Sequence, residues 1–186
     1  MTVHFDVDTQ LDFMCPAGSL YVPGAESIIQ EIVRLNGKAL SEGNRIVSTM
    51  DAHFEDDQEF AIWPHHCVSG SLGQRKIAGS VCANALIAPS ERIEPNWRDG
   101  VQVLLEKQTV DCFTNHNLTA ILQSWNADRY VVYGVVTEIC VKNAVVGLLP
   151  YGRPIEIVGC ATRQLNQQMA DSFLREISAS GQVVLV

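Results

Sequence analysis

Strand-like and helix-like segments alternate along most of this 186-residue chain. Short runs of β-branched and aromatic residues predict strands, and longer stretches with apolar residues every three to four positions predict helices. The predicted strands are 3–8, 45–50, 101–106, 129–136, 155–160 and 183–186, and the predicted helices are 25–41, 115–125, 141–149 and 167–180. This alternation predicts an α/β fold, a Rossmann-like three-layer α/β/α sandwich around a mostly parallel sheet of roughly six strands.

Residues 51–100 interrupt the alternation with glycines, prolines and little periodicity. A long irregular segment inside a compact domain is typical of a functional loop or lid. The chain length suits one domain with a full-sized core. We therefore expect a single domain over residues 1–186, with a metal-site or lid region at about 51–100.

Charge and composition exclude several classes of partner. The formal net charge is −8 and the 13 Lys and Arg residues are scattered, which argues against binding to nucleic acid or an anionic membrane. No apolar run approaches a membrane span, and the first residues do not resemble a signal peptide. The six cysteines show neither a CxxC pair nor the spacing of a small disulfide-linked domain, so we expect reduced thiols in the cytoplasm.

Four chemically reactive residues fall at the carboxyl ends of predicted strands. Asp8 ends the first strand, and Asp51, Lys107 and Cys140 follow the second, third and fourth strands. Parallel sheets bind ligands outside the carboxyl ends of their strands. These four side chains are therefore predicted to lie at one edge of the sheet.

Cys140 stands between a predicted strand and a predicted helix. If Thr137 caps that helix, Cys140 lies in its first turn, where the helix dipole lowers the pKa of a thiol and makes it a nucleophile. Asp8 could take the thiol proton, and Lys107 could stabilise the thiolate. Each residue also has a structural interpretation: a turn cap for Asp8, a solvated charge for Lys107 and packing for Cys140.

A second cluster has the composition of a metal site. Asp51 and His53 are two residues apart in an extended segment and point to the same side. One imidazole from the adjacent pair His65 and His66 would complete two histidines and a carboxylate, a set that holds Zn²⁺, Fe²⁺ or Mn²⁺ with positions left open. Glu59 could add a carboxylate oxygen. The alternative is a solvated acidic loop with incidental histidines.

Two aromatic residues flank these clusters in the sequence. Phe13 and Trp63 are placed to stack on an aromatic substrate ring. Without the neighbouring clusters, both would be interpreted as core residues.

Five motifs together resemble the nicotinamidase/pyrazinamidase branch of the isochorismatase-like cysteine hydrolases. They are the first-strand motif at 7–13, Asp51-x-His53, the Trp-Pro-x-His-Cys run at 63–67, Glu106-Lys107 and the turn at 136–140. The chain departs from this family at Glu138, where the family usually has Asp, and at 110–113, where a Tyr-Ser-Gly/Ala-Phe run is frequent.

The resemblance implies a role for each matching residue. Asp8 would be the general base, Lys107 the catalytic lysine and Cys140 the nucleophile. The metal-loop motif selects His66 over His65 as the ligand. The backbone N–H groups of Val136 and Cys140 would form the oxyanion hole, next to a cis peptide bond at 135–136.

The activity implied is hydrolysis of nicotinamide to nicotinate and ammonia, and of pyrazinamide, through a thioester. The implied cofactor is one divalent ion, with Zn²⁺ first among the candidates, and the implied partner is a small-molecule substrate. Two alternatives stay open: an amidase of the same superfamily acting on a carbamoyl or ureido compound, and a non-catalytic binding domain. The sequence leaves the oligomeric state open, including a homo-oligomer.

Overall fold

The computed structural model describes residues 1–186 and contains one parallel sheet of seven strands. In chain order the strands are β1 (Thr2–Val7), β2 (Arg45–Asp51), β3 (Leu86–Ala88), β4 (Gln102–Lys107), β5 (Arg129–Val135), β6 (Ile155–Arg163) and β7 (Val183–Leu185). Their order across the sheet is β3-β4-β2-β1-β5-β6-β7, and every neighbouring pair is parallel. β1 is therefore the central strand, with β2, β4 and β3 on one side and β5, β6 and β7 on the other.

The prediction of about six strands missed β3. This strand has three residues and pairs only with β4, in register Leu86↔Val103, at the edge of the sheet. A three-residue strand is too short to show an alternating pattern, so it was hidden within the irregular segment. Residues 51–100 otherwise contain turns and two 3₁₀ helices, Gln58–Ala61 and Trp97–Asp99.

Five α-helices accompany the sheet: α1 (Leu11–Met14), α2 (Ile29–Ser41), α3 (Leu118–Trp125), α4 (Lys142–Leu148) and α5 (Gln167–Ser178). Three-ten helices at Ala25–Ile28, Cys112–Thr114 and Leu149–Tyr151 precede or follow them. A π-helical turn, Thr137–Val141, leads into α4. Because a wider turn occupies these residues, the α-helix begins later than the sequence pattern predicts.

The helices cover both faces of the sheet. One hydrophobic cluster packs Ile32 and Leu35 of α2 against Val131 and Val158. The opposite cluster combines apolar residues of α3, α4 and α5 with the other face of β1 and β5. The predicted three-layer α/β/α architecture is confirmed, with seven strands in place of six.

Buried polar side chains attach the irregular segment to the centre of the sheet. The Lys76 ammonium lies 3.3 Å from Oδ1 of the fully buried Asp6 and also donates to the backbone oxygens of Asp6 and Thr49. Asn36 of α2 donates to Asp6 Oδ2 at 3.1 Å. Part of the segment predicted as a loop or lid is therefore packed between α2 and the sheet. No helix is both long and apolar enough to pass through a bilayer.

Gly134 pairs with Val7 at the carboxyl ends of β5 and β1. Its φ is +114°, and a Cβ at this position would be 2.1 Å from the Val7 backbone oxygen. Only glycine fits both the backbone conformation and the available space. The register of β5 against β6 also shifts between Val132 and Gly134, which changes the course of the chain before the turn.

Gly134→Ala is expected to lower the free energy of unfolding by about 3 kcal/mol or more, because the methyl group meets backbone that cannot move aside. Gly152→Ala is the matched control, since Gly152 also has positive φ, +64°, but has open space around its Cβ position. That control should cost about 1 kcal/mol. Urea unfolding measures both, and equal losses would refute the steric argument.

Candidate active site

The carboxyl ends of β1, β2, β4 and β5 bring the four predicted reactive residues together. Asp8 follows β1, Asp51 ends β2, Lys107 ends β4 and Cys140 lies in the π-helical turn after β5. Asp8, Asp51 and Lys107 are buried, and Cys140 is partly buried at the wall of a pocket. Four separate segments thus form one reactive edge.

Lys107 is the centre of this cluster. Its Nζ lies 2.9 Å from Asp8 Oδ2, donates to Asp51 Oδ1 and is 4.0 Å from Cys140 Sγ. Burial alone would lower the pKa of the ammonium, but the carboxylates of Asp51 and Asp8 raise that pKa well above its ordinary value. Lys107 is therefore a permanent cation shared between two buried anions.

Asp8 is held in an uncommon backbone conformation. Its φ is +50°, which a non-glycine residue rarely adopts and which is found mostly at constrained sites. Thr49 of β2 donates through Oγ1 to Asp8 Oδ1 at 2.6 Å. Asp8 Oδ2 is close to Lys107, yet no well-directed hydrogen bond reaches it. That oxygen is therefore paired with Lys107 by charge alone.

The structure corrects the predicted surroundings of Cys140. Val136, not Thr137, is at the N-cap position, and no side chain caps this turn. Although Cys140 is partly exposed as a residue, burial of its thiol raises the pKa well above the ordinary value, and Lys107 acts in the opposite direction. The expected lowering of the pKa by a helix N-terminus was wrong. The thiol consequently needs a proton acceptor before it can act as a nucleophile.

The peptide bond between Val135 and Val136 is cis, as the resemblance implies.

Asp51, His53 and His66 form a group that suits a divalent metal ion. One ligand atom from each lies within 4.8 Å of the others, and all three residues are buried. Asp51 Oδ2 is 3.7 Å from His53 Nε2 and 3.6 Å from His66 Nε2. His53 Nε2 is buried without a hydrogen-bond partner, which is costly unless a ligand completes the site.

The other ring nitrogens are already held by the protein. His53 Nδ1 is 2.9 Å from Asp57 Oδ2, and His66 Nδ1 is 2.7 Å from the Pro64 backbone oxygen. Such outer contacts fix the ring orientation of metal-binding histidines and direct Nε2 towards the metal. Two imidazole nitrogens and one carboxylate oxygen with open positions are an arrangement typical of catalytic divalent metals.

The charge at Asp51 is also suited to a cation. Burial would raise the pKa of this carboxyl, but Lys107, His53 and His66 together lower it below its ordinary value. Asp51 is therefore ionised at neutral pH. It faces Lys107 with one oxygen and the histidine pair with the other.

The remaining metal-loop candidates lie outside this group. His65 is exposed, and its ring stacks on Phe60 at a centroid distance of 4.1 Å. Glu59 is half-buried at the pocket wall, but its carboxylate is not one of the grouped ligand atoms. The geometry accordingly separates His66 from His65 and gives Glu59 no direct place beside the other three ligands.

A narrow, mostly apolar pocket opens onto both clusters. Asp51, His66 and Cys140 all line it. The predicted aromatic residues Phe13 and Trp63 are both in its wall, with the Phe13 ring 5.4 Å from that of His66. The other lining residues are Leu20, Val22, Glu59, Val110, Val136, Ile139 and Leu165. Such a pocket suits a small ligand with an apolar ring and few polar atoms.

Two residues that position the site were missed by sequence reasoning. Gln10 is fully buried, and its side-chain amide accepts from the backbone N–H of Asp51 at 2.7 Å and donates to the backbone oxygen of Asp51 at 2.8 Å. Asp57 belongs to the acidic loop that was considered as the alternative to a metal site, and it orients His53. The first-strand motif contains Gln10, whereas no pattern in the sequence distinguishes Asp57 from the neighbouring acids.

Asp57→Asn is expected to weaken zinc binding about 10- to 100-fold, because one amide oxygen cannot accept from both His53 Nδ1 and the Glu59 N–H, and the negative charge behind the imidazole is lost. Asp56→Asn is the matched control, since Asp56 is exposed and makes no such contact. Zinc titration of metal-stripped protein by calorimetry gives both affinities. Equal affinities in the two variants would contradict the assigned role of Asp57.

The family profile of the isochorismatase domain matches residues 2–185, nearly the entire chain. The chain belongs to this family. The prediction of an isochorismatase-like hydrolase is confirmed, and the profile spans all seven strands of the sheet.

Individual relatives support a particular branch. A nicotinamidase of Escherichia coli (strain K12) is 25% identical over 200 residues, covering 94% of this chain and 90% of the relative. The crystal structure of a Pyrococcus horikoshii pyrazinamidase in complex with zinc has a TM-score of 0.82 and 25% identity, and covers 100% of this chain and 98% of that one. These likenesses confirm the predicted resemblance to nicotinamidases and pyrazinamidases.

The fold is shared more widely. An N-carbamoylsarcosine amidase from Thermoplasma acidophilum has a TM-score of 0.79 at 22% identity, covering 99% of this chain and 94% of that one. This likeness establishes the common fold alone. The choice among amide substrates must therefore come from the site itself.

Proposed function

We propose that this protein hydrolyses nicotinamide to nicotinate and ammonia, and pyrazinamide in the same way. The observation that supports this most is the single pocket shared by Cys140 and by Asp51 and His66 of the metal-binding group. A carboxamide at the sulfur would place an attached aromatic ring beside the metal-binding residues. The relatives named nicotinamidase and pyrazinamidase support the same substrate class.

The pocket offers a place for each part of nicotinamide. Phe13 and Trp63 supply aromatic surfaces that would enclose the flat ring. Asp51, His53 and His66 would hold one divalent ion, for which we propose Zn²⁺ first and Fe²⁺ or Mn²⁺ as alternatives. When bound, this ion supplies a Lewis acid for the pyridine nitrogen and for nearby water.

The first half of the proposed reaction forms a thioester. Asp8 takes the proton of the Cys140 thiol, and the resulting thiolate attacks the carboxamide carbon. Backbone N–H groups of Val136 and Cys140 stabilise the negative oxygen of the tetrahedral intermediate. The C–N bond then breaks as Asp8 gives its proton to the departing nitrogen, which leaves as ammonia.

The second half releases nicotinate. Asp8, again a carboxylate, takes a proton from water, whose oxygen attacks the thioester carbon. The C–S bond breaks, and the proton on Asp8 returns to the sulfur. Lys107, 2.9 Å from Asp8 and 4.0 Å from the sulfur, stabilises each anionic form without giving up its own proton.

Ammonia release, measured with nicotinamide, pyrazinamide and a carbamoyl amide as separate substrates, tests this proposal. We expect turnover of the first two, little turnover of the third, and about one divalent ion per chain by elemental analysis of the purified protein. Preferential turnover of the carbamoyl compound by a metal-free protein would favour the alternative amidase. Turnover of none would favour a binding domain.

A further inference from the structure

Leu165 forms part of the pocket wall next to the nucleophile turn. It lies in the loop 164–166 between β6 and α5, is 42% exposed and lines the same pocket as Ile139 and Cys140. A side chain at a pocket mouth determines which ligands fit only if the backbone beneath it is fixed.

Glu138 fixes the loop through a single carboxylate oxygen. The N–H groups of Leu165 and Asn166 both donate to Glu138 Oε1, at 3.0 and 2.6 Å. Glu138 itself is in the π-helical turn two residues before the sulfur, and only 7% of it is exposed. The two contacts therefore join the pocket wall directly to the turn that carries Cys140.

The second oxygen of Glu138 takes no part in this link. Oε2 is buried and has no hydrogen-bond partner. A buried carboxylate oxygen without a partner costs stability. The favourable part of the arrangement is the pair of charge-assisted bonds to the loop, which position Leu165.

We propose that Glu138 is a positioning residue that holds Leu165 against the pocket and so makes the site selective for small, single-ring carboxamides over larger fused-ring ones. This inference rests on the proposed amide hydrolysis and specifies its substrate class. The length of the Glu138 side chain is the critical variable, because Oε1 must reach two backbone N–H groups on another segment.

The test compares kcat/KM for nicotinamide with kcat/KM for quinoline-3-carboxamide, a fused-ring analogue. Glu138→Asp, one methylene shorter, should release the loop and lower the nicotinamide preference about tenfold, mainly through a higher KM for nicotinamide. Leu165→Ala should lower the preference similarly, since the wall itself is removed. Glu138→Gln retains an oxygen at the same reach and should restore the preference to within about threefold of the original protein.

Met169→Ala is the control, because Met169 is exposed in the first turn of α5 and does not line the pocket. The preference of this variant for nicotinamide over quinoline-3-carboxamide should stay unchanged. An unaltered preference in Leu165→Ala would overturn the inference even if Glu138→Asp failed to fold. Equal losses on both substrates in a folded Glu138→Asp protein would also overturn it. If the original protein hydrolyses neither amide, the proposed function fails together with this inference, an outcome distinct from the other two.

Discussion

Replacing Cys140 with alanine should lower kcat/KM for nicotinamide by at least about 10³-fold, because the proposed thioester cannot form without the sulfur. The fold and the metal-binding group should be retained. Cys140 Sγ is 4.0 Å from Lys107 Nζ and lies outside the Asp51, His53 and His66 group. This variant is therefore expected to lose activity but to keep its bound metal.

Ammonia release and elemental analysis on the same preparation measure the two effects. Cys160→Ala is the matched control and should keep full activity, since Cys160 is exposed and does not line the pocket. Mass spectrometry of the original protein quenched during turnover should show a nicotinoyl adduct that Cys140→Ala lacks. Comparable turnover by Cys140→Ala would end the covalent scheme.

Lys107→Met should destabilise the metal-free protein by about 3–5 kcal/mol. Methionine has nearly the same volume, so the loss comes from charge. Without the ammonium, the carboxylates of Asp8 and Asp51 are buried near each other with no cation between them. Activity should fall as well, because Lys107 is the only cationic side chain placed near the sulfur.

Urea unfolding of metal-free protein measures this loss, and Lys142→Met is the control, since an exposed lysine should change stability by no more than about 0.5 kcal/mol. Combining Lys107→Met with Asp8→Asn removes one of the stranded charges. The double variant should therefore lose less than the sum of the single variants. Additive losses would show that Lys107 and Asp8 are not energetically coupled.

The strands and the reactive edge could be predicted from sequence because both depend on local patterns. Alternating segments give a parallel sheet, and Asp8, Asp51, Lys107 and Cys140 each follow a recognisable strand. The short strand Leu86–Ala88 could not be found this way, since it exists only through pairing with β4. Periodicity carries no information about a partner distant in sequence.

The details of the site depend on packing that the sequence does not display. Adjacent histidines are equivalent as residue types, and the choice between His65 and His66 depends on which one turns towards Asp51 and which stacks on Phe60. The position of Cys140 at a helix start predicted a lowered pKa. The pKa is raised instead, because burial of the thiol outweighs Lys107, and the residues around the thiol come from several separate segments.

The shared position of Lys107 has a thermodynamic consequence. Its positive charge lies between Asp51, which faces the metal-binding histidines, and Asp8, whose carboxylate raises the pKa of the Cys140 thiol. A divalent ion bound beside Asp51 would offset the charge of that carboxylate and make the net potential at Asp8 and at the sulfur more positive. Ion loading and proton affinity at the nucleophile are then linked quantities, and a change in either must alter the other by the same free energy.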